Sequence, residues 1–194
     1  MTTVLAYCAM TPVLVAKPAL MAADEVNTGA GLRCSIRGDE AAILRMHGRC
    51  SVDTRRHRWL LPRRDPPAAL ISRWHNRRPG DQSLVCPAPH DPSEVVAWGT
   101  ALRVDTSALE LSLLVEDAWQ RRGLGSAMFN TLLGRVSPTA SLMAVLDLDR
   151  RWMLAWLRPY GAVSATFADG IVTATVRRPA TQTRTTTSVS AERH

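Results

Sequence analysis

The stretch Leu111-Ser112-Leu113-Leu114-Val115-Glu116-Asp117-Ala118-Trp119-Gln120-Arg121-Arg122-Gly123-Leu124-Gly125-Ser126-Ala127-Met128 decides how the chain is read. An apolar run that suits a strand passes into a loop with two glycines, and the loop opens a helix expected from Arg122 to Arg135. In that helix Leu124, Met128, Leu132 and Val136 recur one turn apart. A helix start exposes N–H groups without intrahelical acceptors and the positive end of the helix dipole, a setting that attracts phosphate oxygens. Gly123 and Gly125 let the backbone approach such a ligand with no Cβ between. Arg121 and Arg122 add positive charge at the same place. The same spacing also suits an ordinary helix start with exposed arginines. Two other phosphate loops are excluded: the dinucleotide fingerprint needs G-x-G-x-x-G, and the P-loop needs a lysine after its second glycine.

Outward from this stretch, Glu94–Val104 and Ala108–Val115 are strand candidates joined by a hairpin turn at Asp105-Thr106-Ser107. Downstream, Leu142–Leu148 is a continuous apolar run, as in a strand covered on both faces. Trp152, Leu154, Trp156 and Leu157 lie in an apolar helix that Pro159 and Gly161 stop. Val163–Phe167 and Ile171–Val176 flank Asp169-Gly170, a strong hairpin signal. Near the start, the alternation in Leu32–Arg37 predicts a strand. Asp39 is placed to cap a helix whose residues Ala42, Ile43, Met46, His47 and Cys50 share one face. Ser51-Val52-Asp53 begins a short helical turn through Arg58, and Ala68–Trp74 suits one more helix amid the prolines of 62–82. The order implies an α/β domain with a mixed sheet, without internal repeats.

The chain has 194 residues, 46% hydrophobic and 21% charged, which suits one globular domain with tails. Residues 1–30 lack sustained periodicity and read as a flexible extension, 31–178 as the folded unit, and the Thr/Ser-rich 179–194 as a disordered tail. The apolar stretch Val4–Met21 is broken by Pro12, Lys17 and Pro18 and has no basic leader, so neither a membrane span nor a secretory signal is expected. Cys8, Cys34, Cys50 and Cys86 form no CxxC pair, which points to reduced thiols in a cytoplasmic protein. His47, His57, His75 and His90 look isolated, and no metal is expected. The net charge of +7 comes from 24 Lys+Arg against 17 Asp+Glu. Lys17 is the only lysine, a bias typical of GC-rich coding, and the arginines are dispersed rather than gathered with aromatics. Nucleic acid is therefore not expected as a partner.

Gln120-Arg121-Arg122-Gly123-Leu124-Gly125 resembles the Q/R-x-x-G-x-G/A signature of the GNAT superfamily of acetyl-CoA-dependent N-acetyltransferases. The resemblance extends to Ile36-Arg37-Gly38-Asp39-Glu40 at the first strand and helix. Met46–Leu61 is similar to a bacterial branch that includes protein-lysine acetyltransferases. It spans about residues 32–178. What the resemblance implies is a mixed, mostly antiparallel sheet flanked by helices and splayed at an acetyl-CoA cleft. It also implies that the diphosphate sits on the backbone of Arg121, Arg122, Gly123, Gly125 and Ser126, with Gln120 and Leu124 in the same loop. The pantetheine would run along Leu113, Leu114 and Val115 like an added strand, where a backbone N–H would polarise the thioester carbonyl.

Amine acetylation needs a neutral nucleophile and hence a proton acceptor. Glu110, on the cofactor strand where related bacterial protein acetyltransferases carry a glutamate, is the candidate base; an ordinary exposed strand carboxylate is the alternative. Glu116 and Asp117 are weaker candidates for the same role and better suit a solvated turn. The family's usual tyrosine acid is replaced by Leu157, so Tyr160 is a weak substitute with an equally plain role as a core-edge aromatic. The family's frequent asparagine gives way to Asp149 or Arg150. Trp98 and Trp119 flank the cofactor strand as candidate cleft residues. The expected activity is acetyl transfer from acetyl-CoA to a primary amine, on a protein lysine or a small molecule. A catalytically weak acetyl-CoA-binding regulatory protein is the alternative, and a homodimer is left open.

Overall fold

A computed structural model describes residues 31–61 and 65–179; the expected N-terminal extension and nearly all of the expected tail lie outside them. The described strands are β1 (Arg33–Cys34), β2 (Gln82–Ala88), β3 (Asp91–Arg103), β4 (Ala108–Val115), β5 (Ser141–Asp147), β6 (Ala162–Ala168) and β7 (Ile171–Arg177). They form one sheet in the order β1-β2-β3-β4-β5-β7-β6. Every neighbouring pair is antiparallel except β4 with β5. Five helices accompany it: α1 (Glu40–Arg49), α2 (Val52–Trp59), α3 (Ala68–His75), α4 (Leu124–Arg135) and α5 (Met153–Leu157). This is the mixed, mostly antiparallel α/β architecture expected. Among the described residues no helix is long and apolar enough to cross a membrane.

The sheet has a core on each face. On one, α4 buries Leu124, Met128, Phe129 and Leu132 against Leu84, Ala97, Leu109, Leu111 and Leu142. Gly99 in β3 sits beneath α4, where a Cβ would lie 2.6 Å from Met128 Sδ. On the other face Ile43, Met46 and Trp74 pack on Val85, Val95, Trp98 and Leu114. There the indole N–H groups of Trp74 and Trp98 reach the hydroxyls of Ser35 (2.8 Å) and Ser83 (3.0 Å), which bond each other at 2.7 Å. These buried donors are thus satisfied. Trp98 is therefore a core residue, not part of a cleft.

Local departures from expectation have local causes. β2 was not foreseen because it contains Pro87, which cannot donate to a ladder; the structure places Pro87 at register shifts on either side of it. β1 is only two residues long, because the Asp39 carboxylate reaches back to the Ile36 N–H (2.8 Å) and to both terminal nitrogens of Arg33 (2.7 Å each). Asp39 thus closes the turn before α1 rather than capping α1 by its side chain. α2 begins as expected, with the Ser51 hydroxyl accepting the Thr54 N–H at 3.2 Å.

The feature that positions a site is where β4 meets β5. Their pairing is confined to Ala108 with Ser141, Leu109 with Leu142 and Glu110 with Met143. Beyond Glu110, β4 stays with β3 through Val115, and β5 stays with β7 through Asp147. The two strands diverge and leave facing backbone edges. β5 was expected to be covered on both faces; only Leu142 is buried, because the strand's later residues border the gap.

Candidate functional site

The gap opens into a cleft of about 340 Å³, walled by Leu111–Val115 of β4, Ala144–Asp147 of β5, Thr54, His57 and Arg58 of α2, and Trp152, Met153, Trp156 and Leu157 at α5. Gln120, Arg121 and Gly125 also line it. After Val115 the chain makes a 3-10 turn at Asp117–Trp119, then turns on two left-handed residues, Arg121 (φ 59°) and Gly123 (φ 79°), into α4. Gln120 pins this turn: its Nε2 donates to the Val115 carbonyl and to Thr54 Oγ1, each at 3.0 Å. No side chain caps α4 at Gly123, so the first N–H groups of the helix stay available. A Cβ on Gly125 would meet no atom within 4 Å and would stand in the open space beside them. A diphosphate fits that cradle.

The sequence-predicted residues divide accordingly. Leu113, Leu114, Val115, Gln120, Arg121 and Gly125 line the cleft. Leu114 does so through its backbone, since its side chain is buried in the core of the opposite face. Gly123 shapes the loop by its positive φ. Ser126 is exposed in the first helical turn, while the Leu124 side chain is buried, leaving only its backbone to offer. The Arg122 guanidinium lies 5.2 Å from the Trp119 ring centroid, outside the lining; Trp119 itself packs against the α4 core.

Two side-chain networks on α2 escaped the sequence reading, both joining residues far apart in the chain. In the first, the Asp117 carboxylate accepts from the Ser51 N–H, Ser51 Oγ and Thr54 Oγ1, each at 2.8 Å, and these bonds hold it below the usual carboxylate range despite partial burial. Beside it Glu116 pairs with Arg49 at 3.0 Å. Neither is merely a solvated turn residue. In the second, His57 is not isolated: its Nε2 lies 3.1 Å from Asp149 and its Nδ1 3.1 Å from Arg150. Arg56 reaches Asp149 (2.9 Å) and Asp147 (3.5 Å). The His57 bond lowers the Asp149 carboxyl, with the neighbouring charges adding to it. His57, Asp147 and Asp149 lie close enough to share a cation, but the guanidinium groups of Arg56 and Arg150 already supply the positive charge there. The parts of this network that lie within one short stretch of sequence are the Asp53–Arg56 i,i+3 and Asp53–His57 i,i+4 spacings.

Glu110 stands at the last paired position of β4, where the strands part. It faces a second cavity of about 430 Å³, bordered also by Arg58, Trp59, Leu70, Arg73, Leu102 and Ser112. Arg58, Ser112 and Val145 belong to the linings of both cavities, so the two adjoin there, with Glu110 on the side of the second. Burial pushes the Arg58 guanidinium down to about 10, partly offset by the Glu110 charge. Tyr160 lines neither cavity. Its ring packs on Phe129 (4.7 Å) and Trp156 (5.6 Å), and burial pushes its hydroxyl up despite a bond to Asn130. That is the core-edge placement.

No family model and no curated protein matches the chain by sequence. Solved structures do resemble it. The GNAT domain of S. lividans PAT superposes with a TM-score of 0.65 at 17% identity, covering 76% of this chain and 90% of that one. A GNAT superfamily phosphinothricin acetyltransferase from Sinorhizobium meliloti, in complex with AcCoA, gives 0.57 at 16%, covering 78% and 88%. Spermidine N-acetyltransferase from Vibrio cholerae, in complex with CoA and spermine, gives 0.53 at 10%, covering 78% and 97%. With the parted β4–β5 pair and the glycine loop beside it, the chain has the GNAT fold.

Proposed function

We propose that the chain is an N-acetyltransferase that moves an acetyl group from acetyl-CoA to a primary amine. The observation that carries this reading is the divergence of β4 from β5 after Glu110, directly beside an uncapped, glycine-lined helix start. The free edge of Leu113–Val115 suits the pantetheine amides, which add to it as a further strand would. The N–H groups from Arg121 to Ser126 suit the diphosphate. Similar structures that hold AcCoA or CoA support the same donor.

The chemistry follows from the residues at the fork. The amine reaches the site as an ammonium and must lose a proton before its lone pair can act; among the described residues Glu110 is the carboxylate that lines the adjoining cavity. The neutral nitrogen attacks the thioester carbonyl carbon, the C–N bond forms, and the C–S bond breaks as the thiolate departs with the electron pair. A thiol of pKa about 8.5 leaves without an acid beside it, which accords with Tyr160 being packed away from the cleft. The same placement of Tyr160 favours a second reading, an acetyl-CoA-binding regulatory protein with little turnover. Release of free CoA thiol over a panel of amines, with the acetylated product identified by mass, separates the two. Product with at least one amine supports the enzyme; acetyl-CoA binding without any product supports the regulatory protein.

A further inference from the structure

Arg58 differs from its charged neighbours at the mouth of the site. Arg49, Arg56 and Arg150 each have a carboxylate or imidazole partner. Arg58 makes no hydrogen bond or ion pair with any described residue; its Nε is shut off from water and unpartnered. It is held by stacking, 3.9 Å from the Trp59 ring centroid, a contact that leaves its N–H donors free. A half-buried guanidinium with unused donors at a cavity wall is matched by an anionic group.

The rest of the wall narrows the choice. Among the described residues Glu110 is the only carboxylate lining this cavity, against two guanidinium groups, Arg58 and Arg73. Arg73 is engaged by Asp81 and the Arg103 carbonyl, and its Nε is likewise unpartnered. A polycation would meet an excess of like charge. Trp59, Leu70, Leu102 and Val104 make much of the remaining lining apolar. Arg58 and Glu110 are near enough for the carboxylate to act on the guanidinium electrostatically. A neighbouring positive and negative group complement a ligand whose carboxylate and ammonium are themselves one carbon apart.

We infer that the acceptor is a free α-amino acid with an apolar side chain, its carboxylate on Arg58, its amine at Glu110 and its side chain against Leu70, Leu102 and Val104. This rests on the acetyl-transfer reading and names its substrate class. One ammonium proton goes to Glu110, the nitrogen takes the acetyl group as the C–S bond breaks, and the nitrogen's second proton is lost as the amide forms and neutralises the departing thiolate, so that free CoA is the other product.

The test compares matched pairs: L-leucine with 3-methylbutylamine, L-phenylalanine with 2-phenylethylamine, and spermidine as a polycation. In the wild-type chain each amino acid is expected to exceed its decarboxylated partner in kcat/KM by ~100-fold, the worth of a charge-assisted hydrogen-bond pair left unmade. In Arg58→Gln that ratio should fall to near one, and Arg58→Lys should restore part of it. The ratio is internal to each variant, so any effect of Arg58 on acetyl-CoA cancels. Equal or better turnover of the decarboxylated amines or spermidine overturns the inference, as does a ratio untouched by Arg58→Gln. Should no amine be acetylated, the transfer reading fails, and calorimetric titration with the same compounds decides the rest. Amino-acid binding lost in Arg58→Gln upholds the cavity's ligand class; absence of binding overturns it too.

Discussion

Asp117 fastens the first turn of α2 to the loop that precedes α4: its Oδ2 accepts the Ser51 backbone N–H and its Oδ1 the Ser51 hydroxyl, both at 2.8 Å. Gln120 adds a second tie to the same helix at Thr54. The helix that carries His57 and Arg58 is thereby held against the loop proposed to cradle the diphosphate. Asp117→Ala is expected to destabilise the fold by about 1 kcal/mol, since its bonds are charge-assisted but lie at an exposed site. Thermal melting should fall by a few degrees, and the affinity for acetyl-CoA, followed by calorimetry, should fall with it.

Gly123 and Gly125 are two residues apart and should fail differently. A side chain at Gly125 meets no protein atom, so Gly125→Val should melt within about 2 °C of wild type. Its branches occupy the cradle, and acetyl-CoA binding should weaken by at least ~10-fold. Gly123 sits at φ 79°, where any L side chain costs about 1 kcal/mol. Gly123→Ala should therefore lower the melting temperature as well as the affinity.

Glu110→Gln keeps the shape at the fork and removes the basicity. Turnover should drop by ~10²–10⁴-fold, while calorimetry with acetyl-CoA remains close to wild type. The deficit should shrink as pH rises, because more of the acceptor amine is then neutral. A variant that matches wild type at pH 7 assigns the proton to another acceptor.

Most of the fold was legible in local pattern, and the site only half so. The glycine loop is contiguous, so its strand, turn and helix could be read from eighteen residues in a row. Asp169-Gly170 likewise declared its hairpin, with both residues at positive φ. β2 was hidden by Pro87, and the openness of β5 depends on where β4 leaves it, which no apolar run encodes. Arg58 and Glu110 meet only because α2 packs over β4. The His57–Asp149 pair is separated by 92 residues and invisible for the same reason.

The Arg33–Asp39 pair gives a pH signature. The Arg33 bond holds the Asp39 carboxyl below its usual value against the opposing effect of burial. A depressed folded pKa means stability fully present above the unfolded value, about 3.9, and lost as pH falls through the folded one. The melting-temperature gap between wild type and Asp39→Asn should hold constant from pH 7 to pH 5 and close below about pH 4. A gap that widens on acidification would reverse the assigned sign.

The central claim is that acetyl-CoA lies along the edge where β4 parts from β5. Amide hydrogen exchange with and without saturating acetyl-CoA tests it most directly. The account predicts slowed exchange at Leu113–Val115 and Arg121–Ser126, with little change in β2 and on the exposed face of α1. Unchanged exchange in both segments, or protection confined to another surface, would contradict it.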